Sequence, residues 1–176
     1  MNDTAAWKVN FSGEPLLRAF PLPDTVIGIN QASGVLPEGA YTTFRTYQRA
    51  WVPKLDEHFH RLQETAFLTL SRPVKMDEAA LRKSLARAVQ DYPKDEARVR
   101  LTMDLTQQVG DVYISLEPLK TPPPEAYVQG IHTLTRKMQR SNPKAKLTAF
   151  LHTAQQTAQA SEQKVEEILM VDAKGL

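Results

Sequence analysis

The chain has 176 residues, enough for one domain of ordinary size, or for one domain and part of another. Hydrophobic residues at 41% and charged residues at 24% are usual for a water-soluble globular protein, and a net charge of +2 argues against a nucleic-acid partner. The absence of cysteine excludes disulfides and thiolate metal sites, and no apolar run reaches the ~20 residues needed to cross a bilayer.

Along the chain, residues 1–39 are rich in Pro and Gly, with short apolar runs such as Val26-Ile27-Gly28-Ile29, and predict an irregular arm with an edge strand. Ala40 to Tyr47 is dense in β-branched and aromatic residues and predicts a strand, with Trp51-Val52-Pro53 opening a return strand. Leu55, Phe59, Leu62 and Ala66 then recur at helical spacing. Asp77 is placed to cap a second helix, whose apolar stripe is Leu81, Leu85 and Val89. Arg98 to Met103 and Asp111 to Leu116 alternate as strands, joined across Gln107 to Gly110. These elements predict a two-layer α+β domain over residues 1–120. Three consecutive prolines mark residues 121–125 as a stiff linker. Beyond it, Ala126 to Thr135 is strand-like, and Thr148 to Gln163 is a polar helix with Phe150, Leu151, Ala154 and Ala158 as its buried stripe. Ile168 to Val171 is a short strand of buried type. A strand begun at Glu167 and left after Gly175 would expose an unpaired edge. The expectation is that residues 126–176 open a second, larger α/β domain and that the chain is the first part of a longer protein.

Two residues stand out as candidates for chemistry. Lys146 lies between an extended segment and the apolar start of a helix, a setting in which a lysine can be held as the neutral amine that attacks an aldehyde. Arg61, in mid-helix beside Leu62, offers the bidentate fork that suits phosphate, although a pair with Glu57 one turn back competes for it. His58 and His60 are two apart on a helix and point in different directions, so they are not a chelating pair, and no metal site is expected. No phosphate-cradling glycine motif is present.

In combination these segments resemble a known family. Gly39-Ala40-Tyr41-Thr42-Thr43-Phe44-Arg45-Thr46-Tyr47, followed by Glu57-His58-Phe59-His60-Arg61-Leu62, resembles the opening of the class IV (fold type IV) pyridoxal-phosphate aminotransferases. Lys146-Leu147-Thr148-Ala149-Phe150-Leu151 and the strand from Glu167 to Gly175 resemble that family's later motifs, in the same order. The branches it resembles are the branched-chain and D-amino-acid aminotransferases and aminodeoxychorismate lyase.

The resemblance implies pyridoxal 5'-phosphate as cofactor and amino transfer between an amino acid and a 2-keto acid. Lys146 would form the internal aldimine and carry the proton, and Arg61 would hold the cofactor phosphate. Tyr41 would line the substrate side, and Arg100 would contact a substrate carboxylate. Lys144 is the rival lysine, and the distance to the downstream glutamate favours Lys146. The resemblance also implies a homodimer, while the lack of a recognisable secretory signal at Met1-Asn2-Asp3-Thr4 and of a long apolar run makes a cytoplasmic protein with no membrane partner the default expectation. Two departures bear on specificity. The family's usual asparagine near the lysine is absent, Thr148 and Ala149 occupying that stretch, and Met103-Asp104-Leu105-Thr106 replaces the family's Thr-Arg-Gly after the Arg98–Arg100 strand. Arg98 and Arg100 share one strand face, where a solvated pair is the plain alternative. Within the family the alternative chemistry is a lyase-like β-elimination, and outside catalysis it is a binding module that keeps the fold.

Overall fold

The structure, a computed structural model, describes residues 3–11, 16–138, 142–159 and 165–172. The side chains of Ala154 and Ala158, together with residues 160–163 and 173–176 of the expected helix and turn, lie outside that description. The chain divides into two compact units, residues 1–119 with 144–148, and residues 120–143 with 149–176.

The first unit is built on a five-stranded sheet. Its strands are β1 (Ala5–Val9), β2 (Leu17–Phe20), β3 (Gly39–Arg45), β4 (Ala97–Asp104) and β5 (Val112–Pro118), in the order β2-β1-β5-β4-β3 and antiparallel throughout. Period-two alternation divides β4 between two faces. Val99, Leu101 and Met103 join Val112, Ile114 and Leu116 of β5 in the buried core, while Arg98, Arg100, Thr102 and Asp104 look the other way. On the apolar face lie α2 (Leu55–Leu70) and α3 (Glu78–Asp91), which bury Phe59, Leu62 and Ala66, and Leu81, Leu85, Ala88 and Val89. The Asp77 carboxylate accepts the Ala80 amide at 2.9 Å and caps α3, as its position predicts. The opposite face carries α1 (Ile29–Val35), a short helix anchored at its first amide by Glu117 Oε2 at 3.0 Å.

Three expectations are corrected. Residues 51–53 form no return strand. Tyr47 and Trp51 make only an isolated bridge, and Gln48 and Arg49 between them both take left-handed backbone (φ 44° and 73°). Two successive residues of that hand in the three-residue loop 48–50 reverse the chain within one pairing, and α2 begins four residues after Trp51. The N-terminal arm is more regular than its composition suggests: β1 lies inside the sheet between β2 and β5, and β2 is the expected edge strand. Residues 126–129 are helical, not strand-like: α4 (Pro124–Gln129) starts with Pro124 in the first turn, where the missing N–H costs nothing, and ends at Gly130 with φ 78°.

The departure at Met103-Asp104-Leu105-Thr106 has a structural purpose. Asp104 is fully buried, and its carboxylate accepts the amides of Thr106, Gln107 and Gln108, each at 2.8 Å. It thereby ties three successive amides of the β4–β5 turn to one buried carboxylate.

In the second unit, β6 (Thr133–Lys137) and β7 (Glu167–Val171) pair in parallel, and α5 spans Thr148–Gln159, its first residue belonging to the first unit. β7 does not have the burial its composition predicts, since Leu169 is 51% and Met170 38% exposed.

Candidate active site

Lys146 is fixed through its main chain. Residues 146–148 run along the outer edge of β3: the Tyr41 amide donates to the Lys146 carbonyl at 2.8 Å, and Ala40 and Leu147 form an antiparallel bridge. At the end of this run, the Gly39 amide donates to Thr148 Oγ1 at 3.0 Å. From the other side, the Lys146 amide donates to Thr65 Oγ1 of α2 at 3.3 Å. Residues 144–148 therefore belong to the sheet unit although 24 residues of the other unit precede them. The Lys146 side chain is half-buried, and its Nζ sits 5.6 Å from the centre of the Tyr41 ring.

The α2 face that meets this segment reads His58, Arg61, Thr65, a spacing of i, i+3 and i+7 that places all three on one side of the helix. Thr65 takes the Lys146 amide. His58 Nδ1 lies 2.7 Å from Thr42 Oγ1, and its ring packs on Phe44 with centroids 4.7 Å apart. Burial holds the His58 imidazole below its ordinary pKa, with Arg61 and Lys146 pushing the same way and Glu57 opposing.

Arg61, between His58 and Thr65, is exposed and has no ion-pair partner among the described residues. Its competing partner is taken, because Glu57 pairs with Lys54 at 3.1 Å. Arg61 lines a cleft of about 350 Å³ with Phe44, Arg45, Tyr47, Lys54 and His58. Arg45 in that cleft is committed to Glu96 at 2.7 Å. Of the arginines and lysines lining that cleft, Arg61 is the one with no ion-pair partner among the described residues.

Tyr41, 8% exposed, lies on the other sheet face, where its ring meets two cations, Lys146 and the Arg100 guanidinium 5.2 Å away. Arg100 corrects the plain alternative of a solvated pair. It is 2% exposed, and its guanidinium donates to Thr43 Oγ1, the Ile29 carbonyl, Ser33 Oγ and Asn30 Oδ1, at 2.7 to 3.1 Å. Burial, and then Arg98, lower its pKa to about 10, which leaves it charged at neutral pH. Arg98 instead pairs with Glu117 at 3.0 Å, and the same carboxylate holds the start of α1. The two arginines thus act on α1 from opposite ends of one network, so a substrate carboxylate would have to compete with α1 for Arg100.

Replacing Arg100 by lysine keeps a charge but not the fork. It is expected to cost about 2–4 kcal/mol, because several buried acceptors lose their donors together, and to speed amide exchange in α1. Denaturant unfolding with exchange mass spectrometry checks both. An unchanged midpoint would show that α1 is held by something else.

His58, Thr42 and Thr65 have no role that residue type alone suggests, although the helical spacing of 58, 61 and 65 is visible in the sequence. The missing signal is the long-range pairing of β3 with residues 146–148. Lys144 is exposed, and among the described residues it is Lys146 that is bound to both β3 and α2.

A sheet unit that pins a lysine against a helix carrying an uncommitted arginine suits a protein that attaches a phosphorylated carbonyl compound. The family model for amino-transferase class IV matches residues 39–176, most of the chain, and the chain belongs to that family. Among solved structures, it is similar over 98% of its length to a protein from Thermotoga maritima assigned as a branched-chain amino acid aminotransferase (17% identity, TM-score 0.69, 58% of that chain covered). It is similar over 96% to a hypothetical aminotransferase from Mycobacterium tuberculosis in its PLP-bound form (18% identity, TM-score 0.58, 63% covered). Over 86% it is similar to 4-amino-4-deoxychorismate lyase from Pseudomonas aeruginosa (22% identity, TM-score 0.50, 59% covered). These likenesses are of fold, and the chain spans about three-fifths of the length of each protein. Among curated proteins none matched.

Proposed function

We propose that the protein is a pyridoxal-phosphate-dependent enzyme that transfers an amino group between an amino acid and a 2-keto acid. The observation that carries this reading is the fixing of Lys146 by β3 and Thr65, on the α2 face that also presents Arg61. The residues fit the cofactor, with an amine for its carbonyl and an uncommitted guanidinium for its phosphate. When bound, pyridoxal phosphate supplies the electron sink for the substrate's α-carbon.

The chain's own residues do the rest. Lys146 attaches the cofactor through Nζ and moves a proton to and from the substrate carbon. Its rigid main-chain anchoring limits where Nζ can reach, which is how positioning lowers a barrier. Arg61 binds the phosphate. Tyr41 lines the substrate side, packed between Lys146 and Arg100. Because α1 and Thr43 occupy the Arg100 guanidinium, Arg100 serves the substrate from behind Tyr41 by holding that ring in place. The working form is proposed to be a homodimer in the cytoplasm; among the described residues no helix is long and apolar enough to cross a membrane.

The test is borohydride reduction of the full-length protein with pyridoxal 5'-phosphate, followed by peptide mapping. A phosphopyridoxyl mass on the Lys146 peptide is the expected result, and modification of Lys144 or of no lysine would end the proposal. An amino-donor screen run beside a pyruvate-release assay then separates transfer from β-elimination.

A further inference from the structure

We propose that His58, keyed by Thr42, acts with Arg61 as a proton-coupled seat for a phosphate monoester, so that the imidazole takes up a proton when the anion binds. This deepens the proposed function and rests on it for the identity of the ligand. His58 would be a positioning and charge-balancing residue rather than a chelator or a catalytic base.

The geometry leaves the ring little freedom. Thr42 is fully buried in β3 and meets Nδ1 at 2.7 Å, while Phe44, two residues on, packs on the ring. The imidazole is therefore locked by two side chains of one strand, and with Arg61 it lines the same cleft. Every element packed about His58 contributes to its charge balance. Its own helix supplies Glu57 and Arg61, β3 supplies Arg45, residues 47–54 supply Tyr47 and Lys54, and the segment along β3 supplies Lys146. Arg45 is offset by Glu96, and Lys54 and Glu57 offset each other. What remains in the cleft around the imidazole is the Arg61 guanidinium, in a half-buried setting that disfavours a second positive charge.

A phosphate dianion beside Arg61 reverses that balance, because an opposite charge within ~4–6 Å favours the protonated imidazole. Linkage gives the sign. A ligand that raises the pKa of His58 is itself bound more tightly when His58 is protonated. Affinity should therefore rise as pH falls through the imidazole's range, by at most about tenfold per pH unit for one coupled proton.

The experiment uses the full-length protein and carbon-13 NMR of the histidine rings, with the His58 resonance identified by its absence in His58→Gln. The probes are inorganic sulfate, which does not titrate in this range, and pyridoxal 5'-phosphate beside unphosphorylated pyridoxal. Expected results are a His58 pKa below the ordinary value in the free protein, raised by sulfate, and raised more by pyridoxal 5'-phosphate than by pyridoxal, whose aldehyde reaches Lys146 without supplying an anion. Sulfate affinity should rise about three- to tenfold between about pH 8 and pH 6 in the wild type and stay flat in His58→Gln. The wild-type titration needs no variant to fold, and a His58 pKa that saturating pyridoxal 5'-phosphate leaves unmoved overturns the proposal. If Lys146 carries the cofactor while His58 stays unmoved, this inference alone falls. If sulfate moves His58 while Lys146 stays unmodified, the seat stands with free phosphate or another ester as its ligand, and the reading of function falls.

Discussion

Alanine at position 146 is expected to abolish cofactor attachment and to lower amino transfer by at least about 10³-fold, since both the nucleophile and the proton carrier are lost. The fold should survive. The bonds that hold this segment run from the Lys146 amide to Thr65 Oγ1 and from the Tyr41 amide to the Lys146 carbonyl, and neither needs the side chain. The side chain is only half-buried, so its removal leaves no large cavity. Absorbance in the visible, borohydride mapping and thermal unfolding together check this. Loss of colour and turnover with an unchanged melting temperature is the expected pattern. Undiminished ligand binding and full retention of whatever activity the wild type shows would favour the non-catalytic binding module. A collapsed melting temperature would show that the lysine is structural.

Alanine in place of Gly39 should have the largest effect on folding. A Cβ built at this position falls 1.8 Å from the Met103 carbonyl oxygen and 2.8 Å from its carbon, both main-chain atoms of the neighbouring strand. No rotamer change relieves such a contact. β3 must move away from β4 where Gly39 pairs with Asp104. The expected cost is at least about 3 kcal/mol, at the upper end for overpacking because the clash is with backbone. The damage should reach the site as well, since the Gly39 amide holds Thr148 Oγ1 two residues beyond Lys146. Denaturant unfolding and cofactor affinity measured on the same variant should both deteriorate. A midpoint within experimental scatter of the wild type would mean that the strands separate here more easily than their pairing implies.

Several elements are legible in the residues themselves. α2 and α3 announce themselves by apolar residues at three- and four-residue spacing, and Asp77 by its place before α3, because each signal is local and repeats within a few turns. β4 and β5 are legible by alternation and by the polar turn between them. The return strand expected at residues 51–53 and the first part, 126–129, of the strand expected from Ala126 to Thr135 fail for a common reason, while Thr133 to Thr135 do lie in β6. Trp51, Val52, Tyr127 and Val128 have strand-type side chains, but backbone hand at Gln48 and Arg49, and Pro124 at a helix start, outweigh that preference. Arg100 reads from sequence as solvated or substrate-facing because nothing local predicts that α1, some seventy residues earlier, lies over it.

Residue identity alone settles the family motifs, the amphipathic helices and the candidates Lys146 and Arg61, since these depend on side-chain type and on spacing within one element. The tertiary structure decides which of those candidates meet. Residues 144–148 return to a sheet formed by the first 119 residues, and pairing across that separation is governed by edge hydrogen bonds that have no local sequence signature. It also decides that Glu57 and Arg45 pair with Lys54 and Glu96 while Arg61 and His58 line one cleft, because charge balance in a cleft is a property of neighbours in space and not of neighbours in the chain.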